Sequence, residues 1–255
     1  MKKCKIAFIL TVVVLALAVI AVVVLLIICA TGFLQESKRY GVEETITELS
    51  VDVGAPQFTL EEGEAFSVES NLKYLEVSTQ NGKLTVEQTN KVGIYTSKAF
   101  LKITVPTGFE FEKVDLEIDG GKTEIESLTT RELEMDVGGE FIAQSLVVTY
   151  AGEIDCSGNM KICSGELTNV EFDVGIGSLE LIATLSGETT IDLGLGSVDV
   201  RLTGGKSRYQ LALGRLDIGK IEVEGVERKI IMMGNGKNRL TVDGSFGSIK
   251  VNYAD

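Results

Sequence analysis

Apolar and polar residues alternate along most of the chain beyond residue 44, with the period of two that is typical of half-buried β-strands. Examples are the segments TITELSVDVG, YLEVSTQ, KLTVEQ and FLKITVP, all between residues 45 and 106. Asn81 and Gly82 separate two of these segments and predict a type I′ hairpin turn. Pro106 closes the last segment, since proline cannot donate to an inner ladder. No segment after Ala30 has a helical period of useful length, so the pattern predicts an all-β fold.

One phrase recurs along the second half of the chain: FDVGIGSLEL at 172–181 returns as IDLGLGSVDV at 191–200. Related segments align on one glycine each, at intervals of 19, 19, 19, 19 and 18 residues: Gly120, Gly139, Gly158, Gly177, Gly196 and Gly214. A fainter copy places Gly247 thirty-three residues later. A unit of this length cannot bury its own apolar face, whereas stacked copies can.

The repeat predicts a right-handed β-solenoid of about 19 residues per coil over residues 113–255. After the glycine, the predicted inward columns are Met160, Leu179, Val198, Leu216 and Ile249, with Ile162, Leu181, Val200, Ile218 and Val251. Before the glycine, the predicted inward column is Val137, Cys156, Val174 and Leu193. Residues 45–112 lack this spacing and are interpreted either as a sandwich-like cap or as degenerate early coils. An antiparallel meander is the rival arrangement, but the glycine columns favour the solenoid.

The N-terminal segment has a different pattern. Three lysines precede Ile6–Ala30, an uncharged run of 25 residues that is long enough to cross a bilayer. We therefore predict a transmembrane signal-anchor within residues 1–32, with its N-terminus cytoplasmic by the positive-inside rule. Cleavage after Gly32 and lipidation at Cys29 are the alternatives. Residues 33–44 are predicted to be a polar linker, and the domain beyond them to be extracytoplasmic.

Charge excludes some partners. The first thirty residues hold three of the 24 basic residues and none of the 37 acidic ones, which leaves the remainder with a formal charge of −16. Such a surface repels nucleic acid phosphates, and it repels anionic lipids and wall polymers unless a cation bridges them. The chain has no histidine, which excludes the usual general base, the Ser-His-Asp triad and histidine metal sites. We predict no catalytic residue and no cofactor-binding residue.

The repeat also aligns four acidic residues, Asp136, Asp155, Asp173 and Asp192, one per coil. Carboxylates about 5 Å apart repel one another, and a divalent cation would relieve that repulsion. The column is therefore a candidate Ca²⁺ ladder, and the alternative is that these side chains hydrogen-bond the corner backbone. Cys156 falls on an inward column and Cys163 on an outward one, which predicts two free thiols rather than a disulfide.

The segment LKITVPTGFEFEKVDLEIDGGKTEIESLTTRELEMDVGGEFIA, residues 101–143, combines a strand ending in V-P-x-G with two copies of the repeat phrase. In this it resembles the "putative adhesin" family of β-strand-repeat bacterial envelope proteins, also called the toastrack domain, over roughly residues 46–251. The resemblance implies an envelope-anchored β-solenoid-like domain that is associated with adhesion or membrane stress systems. It implies no catalytic residues.

These observations predict a non-catalytic, membrane-anchored, extracytoplasmic interaction module of the bacterial cell envelope. Its expected partners are the lipid bilayer and either an envelope protein or a wall or surface polymer. A carbohydrate-active β-helix enzyme is the alternative. The last strand, SIKVNYAD, predicts an unpaired edge that could associate with a second copy, unless Lys250 guards it.

Overall fold

The computed structural model describes residues 15–24, 34–42, 45–91, 95, 97–229 and 231–254. Residues 15–24 are helical. Within the described ranges, no helix has both the length and the apolar character needed to cross a membrane. Most of the predicted signal-anchor lies outside the described residues.

Fifteen strands and one short 3₁₀-helix account for most of the described chain beyond residue 33, which makes the fold all-β as predicted. The strands are β1 (Leu34–Gly41), β2 (Glu48–Val53), β3 (Gln57–Gly63), β4 (Ser67–Leu72), β5 (Leu75–Gln80), β6 (Lys83–Gln88), β7 (Phe100–Pro106), β8 (Glu110–Ile118), β9 (Lys122–Thr168), β10 (Val170–Ser186), β11 (Glu188–Leu202), β12 (Tyr209–Val223), β13 (Val226–Arg228), β14 (Ile231–Met233) and β15 (Asn238–Tyr253). The 3₁₀-helix is Lys206–Arg208.

The long strands β9, β10 and β11 form successive coils that stack in parallel, with register partners 18 or 19 residues apart. Leu179 lies opposite Met160 on one side and Val198 on the other. The inward columns on both sides of the corner are buried here, each residue with at most 3% of its surface exposed: Val137, Cys156, Met160, Ile162, Val174, Leu179, Leu181, Leu193, Val198 and Val200. The parallel stacking therefore confirms the repeat and excludes the meander for these coils.

Glycine is required at the corners because the coils approach one another there. Gly177 and Gly196 have φ of 148° and 143°, a region that other residues rarely adopt. A Cβ added to Gly177 would overlap the carbonyl oxygen of Gly158, and one added to Gly196 would overlap that of Gly177. The first member of this stack is Gly121, not the predicted Gly120, because Gly139 packs against Gly121 and the Glu140 N–H donates to its carbonyl.

The last coils do not follow the order of the chain. β15 lies between β11 and β12 and pairs with both of them in parallel. Gly247 lies opposite Gly196 and Gly219, so the predicted assignment of Gly214 to the stack is wrong. Gly214 instead falls in a register irregularity of β12, between Leu213 and Leu216.

The corner glycine Gly219 also corrects the inward column of β12. Ile221 and Val223 lie opposite Ile249 and Val251 and are buried, whereas Leu216 is only partly buried and Ile218 is 67% exposed. The predicted unpaired edge at SIKVNYAD is also wrong, because β15 pairs with β11 on one side and with β12 on the other. On its far side β12 is covered in part by the short antiparallel strands β13 and β14.

The first coils show the same departure from chain order. The coil formed by β2 and β3 lies between β6–β7 and the coil that starts with β8. Residues 45–112 thus stack on the repeat as coils, and one hydrophobic core extends from Ile46 to Val251. The predicted hairpin is confirmed, with positive φ at both Asn81 and Gly82. The predicted linker contains β1, which pairs antiparallel with β4 because β4 leaves an open edge there.

Candidate functional site

A column of carboxylates runs along the outward side of the strands that precede the glycine corners. Asp155 lies opposite Asp173, and Asp173 lies opposite Asp192. Asp136 is the equivalent residue of the preceding coil, near enough for its charge to act on Asp155. Neighbouring coils are about 4.8 Å apart, so the four predicted aspartates do form one ladder.

The ladder is longer than the sequence indicated. Asp243 of β15 lies opposite Asp192, and Glu117 lies opposite both Asp136 and Asp52. We call the whole column the acidic ladder: Glu87, Asp52, Glu117, Asp136, Asp155, Asp173, Asp192 and Asp243. Asp243 was missed because the β15 coil was placed after β12. A signal for Asp52 was present, since it opens the same D-V-G phrase as Asp136 and Asp173.

Lys91 neutralises one end of the ladder. Its Nζ contacts the carboxylate of Asp52, lies 2.9 Å from Glu117 Oε1 and lies 3.5 Å from Asp119 Oδ1. Partial burial alone would lower the pKa of Lys91, but its hydrogen bonds to Asp52 and Glu117 hold that pKa well above the usual lysine value. This end of the ladder is therefore a local ion network.

The central coils of the ladder carry uncompensated charge. Partial burial raises the pKa of Asp155, and the charges of Asp173, Glu153 and Asp136 raise it further. Partial burial also raises the pKa of Asp192, together with the charges of Asp243 and Asp173. The like charges of adjacent coils thus oppose ionisation at both positions.

A second acidic column lies beside the ladder on the same face. Asp115 lies opposite Glu134, and Glu171 lies opposite Glu153. A hollow of about 430 Å³ opens on this face, where Ala151 and Gly152 replace larger residues. Its lining includes Glu132, Glu134, Glu153 and Glu171 together with Lys113 and Tyr150. We call the surface that bears both columns the acidic face.

The next face around the coil, beyond the glycine corner, has mixed charge. Lys161 Nζ lies 2.8 Å from Glu180 Oε2 of the neighbouring coil, and Lys220 pairs with Glu222. Lys161 is therefore engaged on a different face from the aspartates. Because the charges of the mixed face are paired and those of the acidic face are mostly of one sign, a charged partner meets a stronger electrostatic field at the acidic face.

The geometry of the ladder bears on the calcium hypothesis. No group of three or more potential metal ligands comes together among the residues that the structure describes. Ca²⁺ takes six to eight oxygen ligands, whereas two neighbouring carboxylates offer four at most. The Ca²⁺ column at Asp136, Asp155, Asp173 and Asp192 stays a prediction, which calorimetric titration of the protein with Ca²⁺ would test.

Both described cysteines are free, as predicted. Cys156 is buried in the inward column, and Cys163 is half-buried on the other side of the coil. Burial raises the pKa of the Cys156 thiol to about 11, and the charge of Asp136 adds to that rise. Cys156 is therefore a core residue with little thiolate at neutral pH.

Comparison with known proteins found similarity only among solved structures; no family model and no curated protein matches the chain. One similar structure is a putative adhesin from Bacteroides fragilis, 12% identical with a TM-score of 0.39, over 84% of this chain and 95% of that one. A second is a putative cell adhesion protein from Clostridium sporogenes, 16% identical with a TM-score of 0.36, over 86% of this chain and 99% of that one. A third is a putative lipid binding protein from Parabacteroides distasonis, 15% identical with a TM-score of 0.31, over 86% and 96%.

The names of the first two structures agree with the family that the repeat phrase resembles.

Proposed function

We propose that this protein is a non-catalytic binding module, anchored by its N-terminal segment in a bacterial cell membrane and displayed on the outer side. Its partner is an envelope protein or a wall or surface polymer, in adhesion or in a response to envelope stress. The proposal rests on the acidic face, which repeats the same outward chemistry from coil to coil. Stacked repeats of this kind present long, regular surfaces suited to binding.

Two features of the anchor and the coils belong to this proposal. The uncharged run Ile6–Ala30 follows three lysines, which favours a signal-anchor with a cytoplasmic N-terminus. From β8 to β11 the coils advance in one direction between parallel strands, and such crossovers are right-handed in nearly all proteins. We therefore propose a right-handed solenoid that follows a transmembrane helix.

The orientation is tested by labelling in intact cells. Ser164 is exposed on the coil, so a full-length S164C variant should react with a membrane-impermeant maleimide more strongly than the wild type. A K3C variant should react only after lysis, because the proposal places residue 3 in the cytoplasm. Labelling of S164C only after lysis would overturn the extracytoplasmic placement.

The non-catalytic role is tested with the full-length chain in detergent. Purified cell-wall fragments and surface polysaccharides are incubated with it, and both co-sedimentation and new sugar ends are measured. We expect co-sedimentation of at least one fraction without cleavage. Release of new reducing ends or unsaturated sugars would replace this proposal with the carbohydrate-active enzyme.

A further inference from the structure

Four large apolar side chains project from consecutive coils at the corner between the acidic face and the mixed face. Ile176 lies opposite Leu195, Leu195 opposite Phe246, and Phe246 opposite Ile218. Their exposed fractions are 68%, 50%, 46% and 67% in that order. We call these four residues the apolar ridge. Single exposed apolar residues are normal on protein surfaces, whereas a contiguous row marks an interaction site.

The ridge depends on one extra residue in the corner. Val174 lies opposite Cys156 and Gly177 opposite Gly158, so two residues of β10 correspond to the single Ser157 of β9. The extra position is Ile176 in β10. In β11 and β15 the corner has the same length, with Leu195 and Phe246 there. A corner of minimal length would have closed each coil without these side chains, so the core does not require them.

A groove separates the ridge from the acidic ladder. It is a hollow of about 380 Å³ whose lining includes Asp173, Asp192 and Asp243 on one side. Gly194, Gly244 and Ser245 line it toward the ridge, each one residue or two before a ridge position. The groove thus has a carboxylate wall and a floor formed by Leu193, Gly194, Gly244 and Ser245, and the ridge residues Leu195 and Phe246 follow this floor directly in the chain.

The carboxylate wall is formed by three aspartates that carry the same charge. Among the side chains that the structure describes, no lysine or arginine forms an ion pair with Asp173, Asp192 or Asp243. The three carboxylates are spaced by one coil, about 4.8 Å. Cationic side chains at i and i+4 of a helix are about 5–6 Å apart, and those at i and i+2 of a strand are about 6.6 Å apart, a difference that long lysine and arginine side chains can span.

We propose that this groove docks a cationic, amphipathic segment of another protein, whose apolar side chains cover the ridge while its lysines or arginines face the three aspartates. The inference rests on the proposed binding function and names its partner by chemistry. Charge complementarity selects this occupant. A second copy packed ridge to ridge would bring two acidic ladders together, and an anionic bilayer would meet the same carboxylates, so both are disfavoured by repulsion.

The test uses the full-length chain in nanodiscs of phosphatidylcholine. The probe is a fluorescent peptide of about six alternating leucines and lysines, which as a strand is long enough to follow the ridge. Its affinity is measured by anisotropy for the wild type, for the ridge variant L195S/F246S and for D192N. We expect the ridge variant to bind about tenfold more weakly, because two apolar anchors are lost, and D192N to bind severalfold more weakly.

Matched controls separate docking from general charge attraction. E153Q removes one charge from the acidic face outside the groove and should change the affinity much less than D192N. A serine–lysine peptide of the same charge should bind the ridge variant and the wild type equally. Equal losses for E153Q and D192N, with no loss for L195S/F246S, would overturn the inference. The ridge side chains are outside the core, so the variants should keep the wild-type melting temperature, which circular dichroism checks.

The two disfavoured occupants of the groove, an anionic bilayer and a second copy of this chain, are tested with the same variants. Co-sedimentation of the wild-type protein with phosphatidylglycerol vesicles would overturn the inference in favour of lipid, if L195S/F246S no longer sediments with them. A wild-type dimer that becomes monomeric in that variant would overturn it in favour of a second copy. Loss of the groove inference leaves the proposed function standing, because the cell labelling and the sugar-end assay do not involve the ridge.

Discussion

The central coils and the end coils of this protein are built from the same phrase but assembled differently. From β8 to β11, each coil stacks on the one before it in the chain. At each end, a coil close to the chain terminus is placed between two others: β2–β3 at the start and β15 at the finish. The outermost coils are consequently internal parts of the chain.

This difference determines where the fold is vulnerable. Terminal segments usually fray because they have few partners. Here the last strand has hydrogen-bonding neighbours on both sides and four fully buried inward residues, Leu240, Val242, Ile249 and Val251. The edge beyond β12 is instead capped by short strands: β13 and β14 have three residues each, which limits pairing with other chains.

The largest expected effect tests whether the last coil belongs to the interior. I249D in β15 and V198D in β11 place an unpaired charge at register partners that are both buried. Burying such a charge costs several kcal/mol, so both variants should fail to give soluble, cooperatively unfolding protein. V226D changes β13, where the side chain is 49% exposed, and should fold normally. A folded I249D beside an unfolded V198D would show that β15 is dispensable.

A somewhat smaller effect is expected at the glycine corners. G177A forces a Cβ against the Gly158 carbonyl in a backbone region that alanine avoids, which should lower the free energy of unfolding by about 3 kcal/mol. G225A at the end of the stack is the control, because its φ of 73° is also positive but nothing lies within 4 Å of the added Cβ. Urea titration of both variants measures the comparison, and equal losses would mean that coil packing adds nothing to the backbone strain.

The ladder differs between the two regions as well, because among the described side chains a lysine pairs with it only at its N-terminal end. K91M should leave Asp52, Glu117 and Asp119 without their shared cation and cost about 1 kcal/mol. The Lys91 side chain is 22% exposed, so the loss should also shrink as salt is raised. Thermal melts at low and high salt measure it. K161M, which removes a pair on the mixed face, is expected to have little effect, and an equal loss there would contradict a special role for the network.

The smallest effect has the opposite sign and belongs to the central coils. The folded-state pKa of Asp155 is raised, so its ionised form costs stability at neutral pH. That cost disappears as the pH falls below the ordinary carboxyl pKa of about 4. D155N should therefore raise the melting temperature by roughly 1–3 °C at pH 7 and by nothing near pH 3. A D155N variant that is less stable than the wild type at pH 7 would contradict net repulsion at this carboxylate, and a chelator that abolishes the difference would assign it to a bound cation rather than to a hydrogen bond with the corner backbone.

Much of the candidate site could be predicted from the phrase itself. The aspartates at 136, 155, 173 and 192 align in the repeat, and the register of Asp155, Asp173 and Asp192 is confirmed. The apolar ridge was not predicted, although its residues are visible in the G-I-G and G-L-G corners, because periodicity does not indicate whether a corner side chain points into the core. Leu216 and Ile218 were assigned inward because the repeat was aligned on Gly214, whereas the corner glycine of β12 is Gly219, five residues later.

The amino-acid sequence by itself determined the unit: an alternating strand, a glycine corner and the inward column that only stacked copies can bury. These are local properties, since each depends on a few residues and on steric limits at one corner. Only the tertiary structure decided the order of the coils at the two ends, and with it the full acidic ladder and the ridge. Coils of one phrase present nearly identical edges to one another, so which of them become neighbours depends on fine register and on the competition among edges, which no single unit specifies.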